Sequence, residues 1–305
     1  MAMELMKDKY LGAINTVEIG VGPAAIKVGG ETAMPFLFEE GAMPYPPVVA
    51  YEITDVEPAE WSEHIKRPYG DAVKDPVKWA KMCVSEFGAK ILCVRLIGIH
   101  PEGAKRPAEE VIGALRAISK ETRVPLIIIG CQDIERDNEV LPKISQAMKG
   151  ENCLVGIATQ NNYKTLAAIL NADGHSIIAE SPIDINIAKQ LNILIGDMGF
   201  DPKKIVMHPT TTSLGYGMEY VYSIMERARL ASFIGDKTVS MPFVLFVGSE
   251  VWRTKEAKEG GDVQGANWEA ATAVSMIQAG ADIVVMRHPQ AIKTVSKYIE
   301  MAMKK

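Results

Sequence analysis

The sequence predicts an α/β fold, a (β/α)8 TIM barrel carrying an N-terminal β-hairpin and an extended arm. Three observations lead there. From residue 48 onward a short apolar run, a loop and an amphipathic helix recur eight times. The apolar runs are almost continuous and rich in β-branched residues, the pattern of parallel strands buried on both faces. The first of them leads into YEITDVEP, which lacks the glycine-rich turn that opens a doubly wound dinucleotide-binding sheet.

The elements follow in order. Residues 1–47 stand outside the repeat. Segments 15–21 and 25–29 alternate apolar and polar residues around GPA, which predicts a hairpin. MPFLFEEGAMPYPP comes next. Its Phe36, Leu37, Phe38 and Tyr45 are costly to leave in water, so this arm is expected to pack on the barrel. Residues 48–305 make the barrel itself. Strands are predicted over 48–54, 91–97, 124–130, 153–159, 176–182, 204–209, 241–248 and 282–288. Helices are predicted over 75–87, 107–120, 138–148, 163–171, 184–198, 218–233, 266–279 and 289–303. The first helix opens DPVKW, with Asp75 as its cap and Pro76 in its first turn, and stops before Gly88.

Composition narrows the function. Of 305 residues, 48% are apolar and 23% charged, the range of a globular protein. A net charge of −5 without a basic cluster argues against nucleic acid as a partner. The start, MAMELMKDKY, is too polar for a signal peptide, and no apolar run reaches the roughly 20 residues of a membrane span. A cytoplasmic protein with no membrane partner is expected. Cys83, Cys93, Cys131 and Cys153 show no C-x-x-C spacing and lie in apolar or helix-like segments. They read as buried thiols, and no iron–sulfur cluster is expected in this chain.

Barrels of this class work at the C-terminal ends of their strands. There the sequence delivers Glu52, Thr54 and Asp55, then Arg95 and His100, then Gln132 and Asp133. Thr159, Gln160, Asn161 and Asn162 follow, then Glu180 and Ser181. His208 comes with Thr210, Thr211 and Thr212, then Ser249, Glu250 and Trp252, and last Arg287 and His288. Glu52, Arg95 and Glu180 lie inside strands and read equally well as ion pairs within the barrel, because a buried charge must be paired. His208 and His288 each precede a proline and read equally well as hydrogen-bonding a loop carbonyl. The stretch HPTTTSLGYGMEYVYSIMERARLASFIG holds three consecutive hydroxyls where one would cap a helix, and Gly215 and Gly217 relax its backbone. It predicts a surface for a planar polar ligand or a partner. G-x-S-x-G, H-E-x-x-H and the P-loop are all missing, so no catalytic or metal-ligating set is assigned. Asp173-Gly174-His175 begins like the D-x-H-x-x-G corrinoid signature, but Ile178 stands at the glycine position.

HPTTTSLGYGMEYVYSIMERAR, GSEVWRTKEA and GANWEAATAVSMIQAGADIVVMRHP closely resemble the small-subunit family of the corrinoid/iron–sulfur protein, which is the delta-subunit family of the acetyl-CoA decarbonylase/synthase complex. GGETAMPFLFEEGAMPYPPVVAYEITD carries the likeness into the arm, so it spans nearly the whole chain. The resemblance implies a TIM barrel paired with a large subunit that holds an iron–sulfur cluster and a corrinoid (cobalamin) domain. The corrinoid would sit between that domain and the C-terminal face of this barrel. Its cobalt would take a methyl group from methyltetrahydrofolate through a separate methyltransferase. It would then pass the methyl to acetyl-CoA synthase/CO dehydrogenase in the Wood–Ljungdahl pathway. On this reading Asn161, His208, Thr210, Thr211, Thr212, Gly215, Tyr216 and His288 are the cofactor-facing residues of a non-catalytic subunit. Two alternatives stand beside it. One is a pterin-binding methyltransferase acting directly on methyltetrahydrofolate or methyltetrahydrosarcinapterin, with Glu52, Asp55, Asp133 and Asn161 around the ring. The other is a purely architectural subunit.

Overall fold

A computed structural model describes residues 7–304. Strand β1 (Val17–Ile19) pairs antiparallel with β2 (Ile26–Val28), which makes the predicted hairpin. Eight parallel strands follow: β3 (Val48–Thr54), β4 (Leu92–Arg95), β5 (Leu126–Ile129), β6 (Leu154–Ala158), β7 (Ser176–Glu180), β8 (Ile205–His208), β9 (Val244–Leu245) and β10 (Ile283–Met286). Neighbours in the chain are neighbours in the sheet from β3 to β8, and β10 lies between β9 and β3. A parallel bridge from Met207 to Phe243 brings β8 and β9 together and closes the ring. The predicted barrel is the fold.

Alternation along the strands sorts the apolar residues into two layers. Ala50, Cys93, Ile127, Ile178, Val206 and Ile283 point into the barrel. Tyr51, Ile53, Leu92 and Val94 point out against the helices. The hairpin inserts Val17, Ile19 and Val28 into the inner layer. Its backbone bonds to Asn152 and Ser240, which precede β6 and β9, so it plugs the N-terminal end. Burying each of these side chains contributes about 1.5–3 kcal/mol. The arm then folds back on itself, Thr32 N to Ala42 O, and sets Phe36 edge-on against Tyr298 of the last helix with ring centroids 6.0 Å apart.

The first barrel strand has the expected bounds; the other seven are shorter than expected, and 241–248 shrinks most. Only Val244 and Leu245 are strand, and Val247–Val251 is already helical. Gly248 explains the tight exit: a Cβ there would lie 2.7 Å from Arg287 Cγ and 2.9 Å from Glu269 Oε1. Two helices begin before their apolar stripe does. Ile134–Ala147 starts early because Asp133 accepts a hydrogen bond from Arg136 N, and Gly261–Gln278 starts at Gly261 rather than 266. Asp75 caps Pro76–Ser85 as predicted, accepting from Val77 N and Lys78 N. The short helices Glu63–Lys66 and Lys255–Glu259 have no sequence expectation; both lie in loops on the C-terminal side of the barrel. Among the described residues no helix is long and apolar enough to cross a membrane.

Candidate functional site

Two residues beyond an inward apolar position, six strands deliver a polar or aromatic side chain to one layer. Ala50 leads to Glu52, Cys93 to Arg95, Ile178 to Glu180, Val206 to His208, Val244 to Phe246 and Val285 to Arg287. A period of two keeps each pair on the same side of the strand.

These side chains close the mouth of the barrel with a continuous network. Glu52 is fully buried, and its Oε1 accepts from Arg95 Nε at 2.9 Å and from Arg287 Nη2 at 2.8 Å. Burial pushes the Glu52 carboxyl up, but Arg287 and Arg95 outweigh it and hold the group down at about 2. The Arg95 guanidinium lies 5.1 Å from the centre of the Phe246 ring, and that of Arg287 lies 4.5 Å from Trp61. Phe246 meets His208 edge-on with centroids 4.9 Å apart. His208 is held on both sides, Nδ1 at 2.8 Å from Glu180 Oε2 and Nε2 at 3.0 Å from Thr211 Oγ1. Thr211 Oγ1 also accepts from Phe246 N at 2.9 Å. Glu52 and Arg95 are therefore an ion pair inside the barrel, and Glu180 pairs with His208.

A second cluster lies beside the first. Glu269, fully buried, accepts from Arg287 N at 2.6 Å through Oε1. Its Oε2 accepts from Trp252 Nε1 at 3.0 Å and His288 N at 3.1 Å. Burial pushes its carboxyl up to about 7, although these donors oppose the shift. The His288 ring stacks on Trp252, and its Nδ1 accepts from Gln290 N at 3.2 Å, capping Pro289–Ala302. Reading strand ends alone misses Glu269 and Phe246. Glu269 did leave a signal: it falls on the buried stripe Ala266, Ala270, Ala273 and Ile277 of its helix, where a lone carboxylate needs partners.

The expected ligand-facing residues divide into two groups. Thr210 has a left-handed φ of 71°, and its hydroxyl donates to Ser181 O at 2.9 Å. Strain of this kind in a residue other than glycine collects at functional sites. The turn at Thr210 carries Thr211 under the loop, where it is 4% exposed. His208 and His288 are buried as well. The idea that all three threonine hydroxyls exceed structural needs thus gives way to a narrower one. Thr212 Oγ1 is buried without a partner, Gly215 and Asn161 are exposed, and Tyr216 is half-exposed with its hydroxyl donating to Glu256 Oε2 at 2.8 Å. Gly215, Tyr216 and Asn161 are the members of the set open to something outside, while the Thr212 hydroxyl is closed off within the loop.

The carboxylates suited to a pterin ring are engaged internally. Glu52 holds two arginines, Asp55 accepts from Gly98 N at 2.8 Å, and Asp133 accepts from Arg136 N at 2.8 Å.

The two roles of the threonines can be separated. Thr211→Val keeps the volume but orphans Phe246 N and His208 Nε2, so it should destabilise the chain by about 1–3 kcal/mol. Thr212→Val deletes a hydroxyl that has no internal partner and should leave stability unchanged. Urea unfolding of both variants checks this, and equal midpoints for the two would contradict the assignment.

Residues 16–301 match the family described as CO dehydrogenase/acetyl-CoA synthase delta subunit. The chain is 32% identical over 303 residues to acetyl-CoA decarbonylase/synthase complex subunit delta of Methanopyrus kandleri, covering 95% of this chain and 75% of that one. It is 31% identical over 302 residues to the same subunit of Methanocaldococcus jannaschii, covering 95% and 74%. Among solved structures it is similar to dihydropteroate synthase of Xanthomonas albilineans with 4-aminobenzoic acid, at a TM-score of 0.57 and 14% identity over 87% of this chain and 96% of that one. Dihydropteroate synthase of Coxiella burnetii in complex with pteroic acid gives 0.58 and 12% over 88% and 97%. At such identities the likeness is one of fold.

Proposed function

Because the chain belongs to the CO dehydrogenase/acetyl-CoA synthase delta subunit family, we propose that it is the non-catalytic small subunit of a corrinoid-dependent methyl-transfer complex. Its partners are a large subunit that holds the corrinoid and an iron–sulfur cluster, a methyltetrahydrofolate methyltransferase, and acetyl-CoA synthase/CO dehydrogenase. One observation carries the reading: the barrel mouth is closed by its own ion-paired layer, and Glu52, Asp55, Asp133, Glu180 and Glu269 are all engaged within the chain. That supports a lid rather than a pocket with a free general base.

The residues fit such a lid. A corrinoid, when held by the large subunit, supplies the cobalt that accepts and gives up the methyl group. This chain offers neutral donors and acceptors to the amide side arms of the macrocycle, from Asn161 and Tyr216. His208 and His288 are buried in the floor, His208 with both ring nitrogens engaged, so neither would be presented to a cofactor above it. Burial raises all four thiols, Cys131 and Cys153 to about 12, which disfavours the thiolates an iron–sulfur cluster needs. The closed floor keeps water from the side of the corrinoid that faces it.

Hydrogen exchange of the free chain and of its complex with the large subunit tests the proposal. Protection is expected in loops 159–162 and 210–217. Protection confined to the hairpin end would place the partner elsewhere. Saturable binding of methyltetrahydrofolate to the isolated chain would favour a pterin methyltransferase instead. Unchanged methyl transfer by the large subunit alone would leave only an architectural role.

A further inference from the structure

The arm meets the base of the barrel at a buried charge cluster that plays no part in the mouth. Glu31 is 4% exposed and its Oε2 has no partner. It lines the same small cavity as Arg229 and Asp282, which is 3% exposed and leads into β10. One cation serves both. Arg229, on the helix Met218–Phe233, is 2% exposed, stacks its guanidinium 4.8 Å from the Phe243 ring, and donates to Asp282 Oδ2, Gly280 O and Met241 O. Asp282 Oδ2 also accepts from Phe243 N at 2.6 Å, so the donors of the cluster converge on Asp282 rather than on Glu31.

The charges do not balance if Glu31 is ionised too. Two carboxylates would face one guanidinium out of reach of water, and a buried charge without its own partner is strongly unfavourable. Among the described residues no second cation lines the cluster. Ala33, Pro35 and Met43 of the arm, Ile277 of the helix Gly261–Gln278, and Gly280 and Ala281 complete the lining, and none is charged. There is no room for a larger neighbour at Gly280, where a Cβ would lie 2.7 Å from Arg229 Nε. A proton on Glu31 removes the imbalance and supplies the donor that a pair of carboxylates lacks.

We propose that Glu31 is an acid latch: it is protonated in the folded chain, donates a hydrogen bond to Asp282, and loosens the arm from the barrel base when that proton is lost. Burial raises the Glu31 carboxyl well above its usual value, Asp282 adds to the shift, and Arg229 only partly offsets it. A raised carboxyl contributes fully below the ordinary glutamate range and progressively less as pH climbs toward the raised value. The latch therefore opens on the alkaline side. The amides that report on it are Ile14, bonded to Glu31 O, and Thr32, bonded to Ala42 O.

Hydrogen exchange of these two amides across pH, corrected for intrinsic base catalysis, reads the latch directly. In the wild-type chain protection should fall by roughly tenfold per pH unit above about pH 5 and level off once Glu31 is ionised in the folded state. Glu31→Gln keeps a donor toward Asp282 and cannot titrate, so its protection should stay flat over the same range. Equal slopes in the two proteins, or a flat wild type, would overturn the proposal. Infrared spectra provide a second reading. Protein grown with 13C-carboxyl glutamate should show a shifted protonated-acid band at neutral pH; Glu269 supplies part of it and Glu31→Gln should lack the rest, so a wild type without the band, or bands of equal size in the two proteins, would also overturn the proposal.

Discussion

Glu52→Gln is expected to lower stability by about 3–5 kcal/mol, the usual cost of stripping one partner from a buried ion set. The side chain keeps its size, but Arg95 and Arg287 are left as two buried cations with no anion between them. The damage should spread along the mouth, because Arg287 carries Trp61 and Arg95 carries Phe246. Guanidinium unfolding should show a much lower midpoint, and near-ultraviolet circular dichroism should report a changed tryptophan environment even where the variant remains folded. The wild-type carboxyl is held down at about 2. Its contribution is therefore complete above the ordinary glutamate range and disappears as pH falls through about 2. The variant should lose that acid limb of the stability profile. A midpoint within experimental error of wild type would mean that the arginines find other partners.

Glu269→Leu should be nearly as severe. It leaves Arg287 N, His288 N and Trp252 Nε1 as buried donors without acceptors. At about 1–3 kcal/mol each, the loss is about 3 kcal/mol or more. Glu269→Gln retains one acceptor oxygen but turns an NH2 toward at least one donor, so it should fall between Leu and wild type. Its pH dependence runs opposite to that of Glu52. With the carboxyl pushed up to about 7, the contribution of Glu269 is complete below 4.5 and declines as pH rises to about 7. In Glu269→Gln that part of the decline should vanish, and urea midpoints measured from pH 4 to pH 8 should slope less steeply for the variant than for wild type, the remaining slope belonging to Glu31. Retention of the wild-type slope would assign it to another group.

Much of the fold was legible because its causes are local. Period-two alternation and β-branched runs mark the strands, Asp75 followed by proline marks a helix start, and the eightfold repeat limits the topology to a closed ring. Helix starts at Ile134 and Gly261 were less legible, because their first turns are polar and carry no apolar stripe. The same period of two carried Glu52, Arg95, Glu180, His208 and Arg287 to one layer, so the membership of the mouth was readable from strand ends. Long, specific stretches such as HPTTTSLGYG and GANWEAATAV were enough to point to the family.

Partnership within the site was decided by the tertiary structure. Glu52 and Arg287 are 235 positions apart and meet only because the last strand of the barrel, β10, pairs with its first, β3. Which of three adjacent threonines is tied into the barrel mouth depends on one left-handed residue, Thr210, and on the Phe246 amide that lies beneath the loop for Thr211. Glu31 looks like a solvated arm residue until the arm folds under the barrel and sets it against Asp282 and Arg229. The physical reason is the same in each case. Backbone propensity and apolar periodicity act over a few residues and need no knowledge of the rest of the chain. The pairing and ionisation of a buried charge depend on whatever ring closure and arm docking bring within a few ångströms of it.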